Sequence, residues 1–310
     1  DDDDAAHPDA LERLLGILQT DKVCGFAFGA FDVGVSDAEA LLSVPTRPSP
    51  YRHEDKSAAW QRLELFRECT LMMSGSVLRT AAVRAVGGLN ETLIRGQDYD
   101  LMVRLASRFS FRYCGGSVYV WREHEGTRGT ATESHTHDER IRTWARYNEP
   151  IGSYLHRHVP LTLFSPDDNA PLDCARARRK ALIVRAWAVA TKLPAAIIVE
   201  DLVAAFKADP ETNLDRDEEQ LLERLFHHDF IAYRLPIPMR RLIRLLQSGP
   251  GCAALLKISR GLYWLGHEQN QWRLKARIIL GALLLHGLGA SAAMRYRRAD
   301  GGRHSASTPR

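Results

Sequence analysis

Residues able to do chemistry fall in three places. The chain begins Asp1-Asp2-Asp3-Asp4, Asp98 follows Gln97 in GQDYDLMVRLA (96–106), and Arg122 and His124 lie in VYVWREHEG (118–126). Four adjacent carboxylates repel one another. Either water solvates them at a frayed end, or they finish a buried strand where a metal ion relieves the repulsion. Composition does not choose between the two. An imidazole beside two such carboxylates, as His124 could be, completes a three-ligand set with positions open for oxygen ligands. Asp98 precedes Leu101, Met102 and Leu105, which puts it in a first helical turn. The helix N-terminus favours the ionised form there, the form a general base must hold before it accepts a proton. Its i, i+4 relation to Met102 aims it at the body of the protein. Arg122 carries a planar cationic fork suited to phosphate oxygens.

Alternating strands and helices must position these groups. Pro8 suits the first turn of a helix bearing Leu11, Leu14, Leu15 and Leu18. Residues 22–33 are β-rich, 43–57 form a Pro/Ser-rich loop, and a helix is expected around Trp60–Phe66. A strand over 70–78 follows, then a helix over 79–88 that stops at Gly87-Gly88, a helix over about 98–108, and a strand over 111–121. This alternation predicts an α/β layer structure for the first part of the chain. From about residue 135 the strand signals give way to helical segments at 136–156, 174–192, 194–207, 216–229, 237–248, 252–265 and 270–294. The tail from Arg297 is small and polar and reads as disordered. The expected division is therefore 1–130, 131–298 and a tail, 299–310.

A 310-residue chain with 45% hydrophobic residues can bury a sizeable core. A net charge of +4 argues against bulk nucleic-acid binding. Cys24, Cys69, Cys114, Cys174 and Cys252 are scattered, with no C-x-x-C pair, so a zinc site or disulfide framework is not indicated and a reducing cytosol fits. The Met72-Met73 pair reads as core filler. His135-Thr136-His137-Asp138 reads as loop and helix cap, and His227-His228 as exposed helix surface.

Taken in order, Asp1–Asp4, MSGSVLRTAAVRAVGGLNETL (73–93), GQDYDLMVRLA (96–106) and VYVWREHEG (118–126) resemble the catalytic half of family-2 glycosyltransferases of the GT-A fold. The resemblance covers residues 1 to about 130. It implies a Rossmann-like mixed sheet and transfer of a sugar, with inversion, from a nucleotide-diphosphate donor to an acceptor hydroxyl. It also implies a Mg²⁺ or Mn²⁺ ion on Asp1, Asp3 and His124, because a departing diphosphate gains charge that a hard cation neutralises. Asp98 takes the place of the base, with Gln97 and Arg122 around the substrates. Gln97 stands where the family usually has Glu, so one negative charge is lost from the pocket. The strands that bind the nucleotide base in the family would precede Asp1. A chain without them is expected to bind donor poorly, and the alternative reading is an inactive truncated glycosyltransferase acting at most as a glycan-binding or assembly module.

Residues 270–298 join an apolar centre to basic flanks. The uncharged run Ile278–Met294 is at the short end for crossing a bilayer, so a buried or interfacial helix is expected, with the cations favouring the interface. Peripheral contact at the inner face of a membrane would suit a lipid-linked glycan acceptor.

Overall fold

The computed structural model describes residues 4–35, 46–51, 53–123, 137–167, 171–228, 230, 237–268 and 272–305. The chain divides into two compact units, Asp1–Ile151 and Gly152–Arg310.

The first unit is built on a mixed five-stranded sheet, and with its helices it is an α/β structure. Strand β1 (Ala5–Ala6) and helix α1 (Ala10–Thr20) lead to the long β2 (Cys24–Val35). Short β3 (Thr46–Pro48), α2 (Ala58–Arg67), β4 (Ser76–Leu78) and α3 (Thr80–Ala85) follow. Then come α4 (Gln97–Arg108) and β5 (Ser110–Glu123). The strand order is β1-β5-β2-β3, with β4 also on β2. β2 pairs parallel with β5 along its length and antiparallel with β3 and β4 on its other edge. Its sequence is accordingly an almost unbroken apolar run, since both of its faces are covered. Leu14 and Leu18 of α1 pack with Ala27, Phe31, Val33, Val118 and Tyr119. Phe26 stacks on Phe111 with ring centroids 5.0 Å apart, and Phe28 meets the same ring.

The expected strand over 70–78 is corrected. Only Ser76–Leu78 pairs with β2, and Met73–Gly75 is a turn of 3₁₀-helix. The reason lies at Gly75, where a Cβ would stand 2.7 Å from the Tyr119 ring. The chain curls over this aromatic face rather than running straight, and Gly75 is the residue that lets it approach.

Helix α5 (His137–His158) contains the division between the units. The second unit is helical: α6 (Ala175–Val189), α7 (Ala195–Ala208), α8 (Arg216–Glu223), α9 (Met239–Leu242), α10 (Gly249–Glu268) and α11 (Trp272–Ser305). Helix is assigned through Ser305, past the point at which the polar composition suggests a disordered tail. Arg179 of α6 is fully buried. It makes paired bonds to the equally buried Glu218 at 2.9 and 2.8 Å and an ion pair with Asp209 at 3.1 Å. Asp215 caps α8, accepting from the Glu218 N–H at 2.9 Å, while Glu218 accepts from the Asp215 N–H at 2.9 Å.

Candidate active site

The carboxyl ends of β2 and β5 lie side by side, with Val33 opposite Trp121 and Gly34 opposite Arg122. Crevices at such strand ends are where α/β sheets hold ligands. A cleft of about 450 Å³ is found here, and Tyr119 and Trp121, two residues apart and hence on one face of β5, form part of its wall. Phe31 supports both rings from behind, at 5.5 and 6.3 Å between centroids.

Asp4 brings a carboxylate to the same cleft. β1 runs antiparallel to β5 with Ala5 opposite Val120, so Asp4 comes level with Trp121, and its Oδ1 accepts the Arg122 backbone N–H at 3.0 Å. The acid therefore stands just before the start of β1 and not at its carboxyl end, as the sequence suggests. Antiparallel pairing still delivers it beside the carboxyl end of β5. Burial, and then the charge on Asp4, push the Tyr119 phenol well above its ordinary pKa. It is thus a neutral hydroxyl at physiological pH.

The opposite wall is the entry to α4: Ile94, Arg95, Gly96, Gln97 and Asp98. Gly96 precedes the helix with φ 73°, a left-handed conformation that glycine adopts without strain. The Gln97 amide donates to the Leu93 carbonyl and closes this turn. Asp98 is exposed, whereas Met102 one turn on is fully buried. The expectation that both face the body fails for a geometric reason. Side chains lean toward the helix N-terminus, and at the first turn that direction leads beyond the packed layer into the open cleft. Behind this wall, Arg104 binds Asp100 at 2.6 Å and the Gly88 carbonyl at 2.7 Å. It ties α4 to the turn that ends α3.

Sequence-expected residues thus divide three ways. Asp98 and Gln97 line the cleft together with Asp4. Arg122 is one residue beyond the wall, and its backbone N–H is used on Asp4. Asp1, Asp3 and His124 lie outside the described residues. Sequence reasoning missed Arg95, Met73, Ser74 and the aromatic pair. Met72 and Met73 both line the cleft rather than merely filling the core. Two aromatics spaced i, i+2 at the end of an apolar strand were the available signal.

Among the described residues there is no group of three His, Cys, Asp or Glu side chains placed to hold a metal ion. The two carboxylates on the cleft do not by themselves make a ligand set, and one oxygen of Asp4 is already engaged. No protein-family model matches the chain, and no curated protein is significantly similar to it.

Proposed function

We propose that the first unit is the acceptor side of a glycosyltransferase of family-2, GT-A type, one that moves a sugar from a nucleotide diphosphate to a glycan or lipid-linked hydroxyl. The observation that carries this is the composition of one cleft. An exposed carboxylate on a helix N-terminus, Asp98, shares it with Asp4, Arg95 and the rings of Tyr119 and Trp121. Aromatic faces suit the apolar faces of sugars, and the half-buried Trp121 offers one on a rigid strand, with Tyr119 buried beside it. Asp98, exposed in the first turn of α4, accepts the proton of the attacking acceptor hydroxyl. Displacement at the anomeric carbon inverts its configuration. Arg95 supplies positive charge for the diphosphate from the cleft wall, the role first assigned to Arg122. In this proposal Asp1, Asp3 and His124 would hold a Mg²⁺ or Mn²⁺ ion, which would supply positive charge for a diphosphate leaving group.

Asp98→Asn is expected to lower sugar transfer by about 10²- to 10⁴-fold while calorimetric donor affinity stays the same. Transfer at the wild-type rate would remove Asp98 from the reaction. The aromatic wall also supports a second reading, a glycan-binding module without turnover. Glycan affinity lost in Trp121→Ala, in a protein that transfers no sugar from any uridine or guanosine diphosphate donor, would favour that reading.

A further inference from the structure

Helix α11 is apolar on both sides, which a helix packed on one side only does not require. Its inner side is accounted for: Ile278, Ala282, Leu285 and Ala292 are buried. Its outer side is not. Leu280, Leu283, Leu284 and Leu288 are 61%, 55%, 58% and 41% exposed, and Met294 continues the stripe at 56%. A groove of about 420 Å³, lined by Leu256, Tyr263 and Leu283 together with Lys257 and Arg260, extends this surface onto α10. Contiguous exposed apolar surface of this kind marks an interaction site.

We infer that this outer face of α11 docks in the plane of an anionic lipid surface. The charges select the partner. No Asp or Glu occurs between residues 269 and 299, whereas Arg273, Lys275, Arg277, Arg295, Arg297 and Arg298 do. Arg277 and Arg295, both exposed, are about five turns apart, so they lie on one side of the helix roughly 27 Å from each other. A second copy laid along this stripe would set cation against cation at Arg277 and Arg295. Anionic headgroups meet cations at both ends of the leucine stripe and an apolar boundary between them.

Length and composition alone would let Leu274–Tyr296 cross a bilayer. The inner face argues against that. It packs along α10, which carries Lys257 paired to Glu219 at 2.8 Å and Arg260 paired to Glu223 at 3.1 Å. A spanning α11 would draw those ion pairs into hydrocarbon, whereas an in-plane helix keeps them at the headgroup boundary, where Lys257 and Arg260 add to the positive charge. This inference is independent of the glycosyl-transfer reading.

The test is sedimentation of the full 310-residue chain with vesicles of phosphatidylcholine alone and of phosphatidylcholine with phosphatidylglycerol. Binding should require the anionic lipid and weaken as salt rises. Arg277→Gln and Arg295→Gln should each cost about fivefold in affinity. Leu283→Glu with Leu284→Glu should abolish binding while circular dichroism and the oligomeric state stay the same, since both positions are exposed. Equal binding to neutral vesicles would overturn the charge selection. Failure to bind either vesicle, together with a dimer that Leu284→Glu dissociates, would assign the face to a second copy. Resistance of the vesicle-bound protein to alkaline carbonate extraction would overturn the in-plane placement.

Discussion

Asp98 and Gln97 are neighbours on one helical turn, yet they do different work. Asp98 reaches the cleft with its carboxylate exposed, while the Gln97 amide is spent on the Leu93 carbonyl. A carboxylate at 97 could not make that donation. Gln97→Glu therefore loosens the 93–97 turn, at a cost of about 1 kcal/mol for the lost bond, and adds a negative charge beside Asp98. Acceptor KM should change several-fold and acceptor preference should shift, with donor affinity by calorimetry little altered. Equal effects on donor and acceptor would count against a place on the acceptor side. The first-turn position of Asp98 was legible from the leucine spacing behind it. Its direction was not, because i, i+4 spacing names a face but not where the packed layer ends along that face.

The α4 wall is held by one buried pair. Arg104 and Asp100 are one turn apart, largely shielded, and bonded at 2.6 Å, and the same guanidinium reaches the Gly88 carbonyl at 2.7 Å. Arg104→Ala leaves the Asp100 charge and the Gly88 carbonyl without this partner and should destabilise the protein by roughly 3 kcal/mol, read as a lower urea midpoint. A loss under about 0.5 kcal/mol, the surface-substitution range, would show that the latch carries little. Periodicity and turn residues were enough to place α1, α2, α4 and β5 within a few residues. The 70–78 stretch was misread because its composition is that of a strand. What bends it is the Tyr119 ring against Gly75, a contact that no local pattern encodes.

Across the molecule, one cluster of buried charge in the second unit centres on Arg179. Arg179→Met should destabilise by about 3–5 kcal/mol, and adding Glu218→Leu should recover part of that, since the stranded charge is then removed. A double variant worse than the single would contradict this. Acid should act on the same region. Burial opposes the charge on Asp209 and Asp215, but the Thr212 N–H and Arg179 outweigh it at the first and the Glu218 N–H and Lys180 at the second. Both carboxyls therefore hold their protons less readily than in the unfolded chain. Their stabilisation is present above the ordinary carboxylate pKa, near 4, and is lost as pH falls through the depressed values. The contribution of these two carboxyls should be flat from neutrality to about pH 5 and decline below it. For Asp215 it is read as the difference in urea midpoint between the protein and its Asp215→Asn variant, which keeps the cap.

The pairing of β2 with β5 has a kinetic consequence. It joins Cys24 to Ser110 across much of the first unit, and the cleft at its end gathers residues from four separate stretches: Asp4, Met72–Ser74, Ile94–Asp98 and Tyr119–Trp121. Closing so long a loop costs entropy before any contact repays it, so parallel pairing of this kind comes late in folding. The helices can form early from local contacts, but the Met72–Ser74 wall, joined to β2 through β4, does not meet Tyr119 and Trp121 until β5 has found β2. Ligand-binding competence is thus expected to be the last property regained on refolding of this unit, after helical circular dichroism, and a chain stalled short of it would be helical, partly compact and without a site.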